Sequence, residues 1–159
     1  MKTYLSSRPA TEHKAQSRQF STFVIDGRLY GIDVMKVQEV TKPLQVTLMQ
    51  TAPPFIKGLI NLRGQIATAI GLRELFGLGV GGATEKMTVV CKIEDVLISL
   101  LVDNIGDVME VSEQSYEPTP QTISPAIRSF MQGVYKTDEG ILSVVSLDAI
   151  LRELDKRCA

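Results

Sequence analysis

Phe20-Ser-Thr-Phe-Val-Ile-Asp-Gly-Arg-Leu-Tyr-Gly-Ile32 decides the fold class of this chain. Its first six residues are aromatic, hydroxylated or β-branched, a composition that suits a pleated, half-buried surface better than a helix. Asp26-Gly27 then supplies the positive-φ pair of a tight hairpin turn, and Arg28 to Ile32 forms the returning strand. The same grammar recurs three times. Gly58 to Leu62 turns at Arg63-Gly64 into Gln65 to Ile70, Met87 to Ile93 turns at Glu94-Asp95 into Val96 to Val102, and Met131 to Lys136 turns around Asp138-Glu-Gly140 into Ile141 to Val145. Gly27, Gly58, Gly64 and Gly133 are assigned as structural turn positions, because glycine takes positive φ without steric cost. Four hairpins in 159 residues indicate an all-β protein.

Helical signals are short. Asp33 can cap a turn through Val34 to Val40, and Leu72 to Phe76 makes another that Gly77 ends. Ser146 can cap Leu147 to Leu154, whose Leu147, Ile150, Leu151 and Leu154 share one face. An internal repeat follows from spacing. Phe55-x-x-Gly58 recurs as Phe130-x-x-Gly133, with Ile66 matching Ile141, Leu72 matching Leu147 and Leu75 matching Ile150, always 75 residues apart. A looser echo sets Asp33 with Val37-x-Glu39-Val40 against Asp103 with Val108-x-Glu110-Val111. This duplication predicts two similar β subdomains, residues 20–78 and 84–154, joined by a linker over 77–83. A flexible leader over 1–18 precedes the domain at 19–154, and a tail over 155–159 follows it. Short strands at this density tend to close into small barrels, which removes exposed sheet edges.

Charge and composition narrow the function. Lys plus Arg number 17 against 18 Asp plus Glu, a net charge of -1, so the cationic excess that phosphate-backbone binding needs is missing. Nucleic acid is therefore excluded as an expected partner. The first twenty residues mix charges of both signs with polar groups and carry no apolar signal core. The longest apolar-rich run, Val96 to Val102, is too short to span about 30 Å of hydrocarbon, so no direct membrane insertion is expected. Two cysteines, Cys91 and Cys158, make neither a disulfide framework nor a CxxC pair, which fits a reducing cytoplasm.

Catalytic chemistry is thin. The one histidine, His13, lies in the polar leader and reads as a solvated residue, so no Ser/His/Asp or Cys/His arrangement can be built. Cys91 is in phase with Met87, Val89 and Ile93 on an alternating strand and reads as a buried, inert thiol. Scattered carboxylates lack the spacing of an oxygen cage, so neither a metal nor a cofactor is expected. Gly77-x-Gly79-x-x-Gly82 matches a dinucleotide fingerprint only formally, since it follows a helical turn and precedes a strand, the reverse of the order that chemistry requires. A nucleotide-binding enzyme has only that stretch behind it, and a nucleic-acid-binding barrel lacks both charge and stacking aromatics. What remains is recognition of another protein. Arg63, beside a glycine turn, either reads a partner's carboxylate or pairs within the chain, with Glu39 as the plausible acceptor.

Those residues also carry a family resemblance. Phe23-Val-Ile-Asp-Gly-Arg-Leu-Tyr-Gly-Ile-Asp-Val-Met-Lys-Val-Gln-Glu-Val40, Pro54-Phe-Ile-Lys-Gly-Leu-Ile-Asn-Leu-Arg-Gly64 and Ile70-Gly-Leu-Arg-Glu-Leu-Phe76 resemble CheW-type chemotaxis coupling proteins over nearly the whole of residues 19–154. Many members carry Asp where this chain has Gly71. The resemblance implies two intertwined, SH3-like five-stranded barrels related by a pseudo-two-fold axis, with short helices including one at the C-terminus. It further implies a non-enzymatic adaptor in the cytoplasm, recruited to membrane-associated receptor arrays. There it would join the cytoplasmic tips of methyl-accepting chemoreceptors to the regulatory domain of a CheA-type histidine autokinase. By position, Val37, Glu39 and Arg63 match the receptor-facing surface, with apolar surface around Val89 and Val90 bordering the same groove.

Overall fold

The structure, a computed structural model, describes residues 17–78 and 87–158. Its eleven strands form two sheets. β1 (Ser17–Ile25) and β2 (Arg28–Asp33) make the first hairpin, and β3 (Val37–Thr41) follows a single 3-10 turn. β4 (Ile56–Leu62) and β5 (Gln65–Gly71) make the second hairpin, leading into helix α1 (Leu72–Leu75). β6 (Met87–Ile93), β7 (Val96–Val102), β8 (Asn104–Ser112) and the two-residue β9 (Tyr116–Glu117) come next. Helix α2 (Pro125–Arg128) precedes the last hairpin, β10 (Met131–Thr137) with β11 (Gly140–Val145), and helix α3 (Leu147–Cys158) closes the chain. All four expected hairpins are present with antiparallel registers.

The sheets do not divide the chain in halves. One, the terminal sheet, has the order β8-β1-β2-β11-β10-β9 and is built from both ends of the chain; the middle sheet, β3-β6-β7-β5-β4, is contiguous in sequence. The expected subdomain boundaries, 20–78 and 84–154, are therefore corrected: the duplication is real, but its products exchange strands. Matching the sheets position by position pairs β8 with β3, β1 with β6, β2 with β7, β11 with β5 and β10 with β4. In each sheet one parallel contact makes the exchange, β2 with β11 in one and β7 with β5 in the other, while every other contact is antiparallel. Two segments taken from sequence as non-helical connectors or tail are partly helical, α2 and the stretch of α3 beyond Leu154. The leader ends earlier than expected, since β1 begins at Ser17, and the linker's Gly79 to Ala83 lies outside the described residues, as does His13.

Three apolar layers result. Phe20, Val111, Tyr135, Leu142 and Val144 fill the interior of the terminal sheet. Leu62, Ala67, Val90 and Leu97, with Ile60, Ala69 and Leu101 beside them, fill the middle sheet. Between the sheets lies the largest cluster, to which both contribute: Phe23, Ile25, Tyr30 and Ile32 from one, Val89, Cys91, Ile98 and Leu100 from the other. The helices cap this layer with repeat-related residues, Leu72 and Leu75 on α1, Leu147 and Ile150 on α3. Ser146 caps α3 as expected, its Oγ accepting from the Ala149 N–H at 3.1 Å.

Gly58 and Gly133 are not turn residues, in correction of their assignment. Each sits at a register shift inside a strand, where the extra residue bends the ladder. A Cβ on Gly58 would stand 2.2 Å from the Thr47 carbonyl oxygen, and one on Gly133 would stand 2.3 Å from the Tyr116 ring. Close approach, not a turn, requires glycine there. Gly27 and Gly64 do occupy turns, at φ 77° and 86°.

Leu72 and Leu147 are equivalents in the duplication and both are fully buried in the shared layer. Leu72→Ala and Leu147→Ala should each cost about 2–5 kcal/mol of folding free energy, measured as a lower urea midpoint at unchanged slope. A full loss at one site beside almost none at the other would show that the two halves do not share the layer equally.

Candidate functional site

The segment from Asp33 to Thr41 carries the chain from one sheet to the other. Asp33 Oδ1 accepts from the Met35 N–H at 2.9 Å and caps the 3-10 turn Val34–Lys36, as its side chain suggested. The helical turn expected through Val40 stops there. Val37–Thr41 is a strand on the edge of the middle sheet, antiparallel to β6, and its β-branched residues gain a ladder that a lone helical turn would not supply.

A groove of 540 Å³ opens beside this crossing, lined by Arg18 and Gln19 of β1, Asp33, Val34, Met35 and Glu110 of β8. Its wall is held by charge. The Arg18 guanidinium meets Asp33 at 3.0 Å and lies 4.9 Å from the centre of the Phe20 ring, a cation held over an aromatic face. Glu113 accepts the Tyr135 hydroxyl at 2.9 Å; burial pushes that phenol's pKa up, and the neighbouring carboxylate adds to the shift. The lining also holds apolar side chains, Val34 and Met35. Met35 is 87% exposed, and Val108, on the same face of β8 as Glu110, is 57% exposed.

In the middle of β3, Glu39 receives Arg63 from the β4–β5 turn, with Nη1 to Oε1 at 2.8 Å and Nη2 to Oε2 at 3.4 Å. Of the two readings of Arg63, the ion pair within the chain is thus realised. The guanidinium nevertheless keeps most of its surface in solvent, its side chain being 78% exposed against 23% for Glu39. The turn that carries it is rigid: Arg63 and Gly64 both have positive φ, and the Gly64 N–H donates to Asn61 Oδ1 at 2.9 Å. Val37 is half-buried and packs against the shared layer.

Val89 and Val90 are corrected. β6 is covered on both faces at these positions: Val89 is fully buried in the shared layer and Val90 in the interior of the middle sheet. The exposed apolar residue that lines the groove is instead Met35, and Val108 is exposed two residues along β8 from Glu110, which also lines it. Sequence reasoning passed over both. Val108 lay within the echo of Val37-x-Glu39-Val40 but was not read as a strand, and Met35 lay inside a turn taken as helical.

Among the described residues no group of three or more His, Cys, Asp and Glu is placed to hold a metal ion, and no helix is long and apolar enough to cross a membrane. Cys91 is fully buried, and burial raises its thiol from 9.0 to about 12. Because the folded state holds this proton more tightly than the unfolded one, the associated stability is complete below pH 9.0 and is lost as pH rises from there to about 12. In a Cys158→Ser background, Cys91 should resist alkylation at neutral pH until denaturant is added. Rapid labelling of the folded protein would contradict its place in the core.

The comparisons agree with this geometry. A family model described as the CheW-like domain matches residues 19–155. The chain is 30% identical over 135 residues to the chemotaxis protein CheW of Klebsiella aerogenes, covering 84% of this chain and 81% of the relative. It is 27% identical over 143 residues to a probable chemotaxis protein CheW of Rhizobium etli, covering 89% and 92%. The crystal structure of the scaffolding protein TtCheW from Thermoanaerobacter tengcongensis superposes with a TM-score of 0.74 at 33% identity, over 82% of this chain and 89% of that one. With the family model spanning nearly all the described residues and the exchanged pair of SH3-like sheets matching a solved member, the chain belongs to the CheW-like family of chemotaxis coupling proteins.

Proposed function

We propose that this protein works without turnover as a cytoplasmic adaptor, joining the cytoplasmic tips of chemoreceptors to the regulatory domain of a histidine autokinase within membrane-associated arrays. Family membership supports the coupling role, and the relative from Thermoanaerobacter tengcongensis is described as a scaffolding protein. The observation that carries the receptor-facing assignment is the run from Asp33 to Thr41. It presents the exposed Met35, the half-buried Val37, and Glu39, which holds Arg63 of the β4–β5 turn. A receptor tip supplying an apolar contact for Met35 and Val108 and a carboxylate for Arg63 would use all of it. Apolar contact beside polar and charged groups is the usual composition of such an interface.

Arg63 is held by Glu39 in advance, so little side-chain freedom remains to be lost when a partner arrives. Glu39 then sets the direction of the guanidinium, and Arg63 makes the outward contact.

As an exposed pair, Glu39 and Arg63 contribute only about 0–1 kcal/mol to folding, so Glu39→Ala and Arg63→Ala should fold with almost unchanged unfolding midpoints. Capture by receptor fragments should weaken by about 2–5 kcal/mol, the cost of stripping one partner from a charge pair that binding desolvates. The exchange Glu39→Arg with Arg63→Glu should not restore capture, since the outward charge is then reversed. Met35→Asp should likewise spare stability and lose receptor capture. Normal capture by both single variants would remove this pair from the site.

A further inference from the structure

The duplication creates two equivalent crossings between the sheets, one after β2 at Asp33 and one after β7 at Asp103. They are not built alike. At the second, Asp103 is 9% exposed and takes the fork of Arg73, itself 8% exposed, with Nε to Oδ1 at 2.9 Å and Nη2 to Oδ2 at 2.8 Å. Asp103 Oδ2 also accepts from the Asp26 N–H at 2.9 Å, and the Asp103 N–H donates to the Val24 carbonyl at 3.1 Å. Asp26 Oδ1 lies 3.6 Å from Arg73 Nη2. A residue of α1, which directly continues the middle sheet's β5, is thereby fastened to the first hairpin of the terminal sheet.

Among the described residues no such fastening is present at the first crossing. Asp33 is engaged by Arg18 of the adjoining strand in its own sheet, and the crossing opens into the groove beneath Met35. The position that repeats Arg73 is Asp148, an exposed acid, which cannot supply a guanidinium fork to Asp33. One crossing is locked and its twin is open.

We infer that Arg73 and Asp103 are positioning residues for coupling: they fix the angle between the two sheets at the locked crossing, so that a partner seated at the open crossing acts on both sheets as one body. The inference rests on the adaptor reading and extends it to how the adaptor transmits. A two-pronged guanidinium–carboxylate bond resists rotation as well as separation. A buried ion pair often adds little net stability over apolar residues of similar volume, which makes orientation the property to test.

The test uses the full chain with receptor fragments and histidine kinase. Arg73→Met with Asp103→Leu removes both charges together, so no uncompensated charge is left buried, and its unfolding midpoint should stay close to the parent's. Capture of receptor alone and of kinase alone should be unchanged, while receptor control of kinase autophosphorylation should fall by about tenfold, within the range of ordinary coupling energies. Arg73→Lys, which keeps the charge but loses the fork, should fall part of the way. Normal control in the double variant, or loss of capture of either partner alone, would overturn the inference. Failure of the parent to bring receptor and kinase together would instead reject the adaptor reading. A measurement without partners decides the orientation directly. Spin labels at Ile66 and Ile141, exposed on different sheets, in a Cys158→Ser background, should give a narrow distance distribution that broadens in Arg73→Lys and in the double variant; equal widths would overturn the inference.

Discussion

The apolar layer between the sheets is lined by strands with almost no solvent side of their own, and this constraint governs the rest of the molecule. β6 and β7 send Val89, Cys91, Ile98 and Leu100 into the shared layer and Val90, Leu97 and Leu101 into the interior of their own sheet. β1 and β2 do the same with Phe23, Tyr30 and Ile32 on one side and Phe20 and Leu29 on the other. A strand buried on both faces cannot exist in a single isolated sheet, so neither unit could keep its composition without the other. Burying each large apolar side chain contributes roughly 1.5–3 kcal/mol, and the side chains of the shared layer collect that stabilisation only when both sheets are in place.

The same constraint explains what was legible in the sequence. Hairpins are local, and their turn residues announce them: Asp26-Gly27, Arg63-Gly64 and Glu94-Asp95 all take positive φ at both positions. β3 and β8 carry no such signal. They are strands because β6 and β1 lie beside them, a fact of topology that composition does not contain. Val89 and Val90 are placed at the surface by the resemblance alone, while the residue pattern puts Val89 in phase with the buried Cys91. Alternation identifies a strand with one wet face, but in a strand covered twice the periodicity disappears, and nothing in the residues says which side a partner would approach. The Glu39–Arg63 contact was readable because both residues belong to the segments that carry the family resemblance; Met35 and Val108 were not, since exposure depends on what fails to pack against them.

The duplication supplied a symmetric frame, and the interest lies in where symmetry breaks. Repeat-related apolar residues such as Leu72 and Leu147 keep equivalent places because the shared layer needs filling equally from both sides. Charged positions differ: Asp148 stands at the repeat of Arg73, with one crossing closed and the other opening into a groove. Two copies of one unit thus yield a molecule with a front and a back.

The contiguity of the middle sheet also sets an order of assembly during synthesis. Everything that sheet requires, from Val37 to Val102, leaves the ribosome as one uninterrupted stretch. The first hairpin emerges earlier still, yet Leu29 to Gly31 must wait for Leu142 to Val144, more than a hundred residues later in the chain, before its parallel edge is covered. An isolated hairpin is at best marginally stable, and closing so long a loop is entropically slow. A nascent chain of this protein therefore carries the Leu29–Gly31 edge uncapped until the last hairpin is released. Its dependence on chaperones should be greatest just before the last hairpin is released.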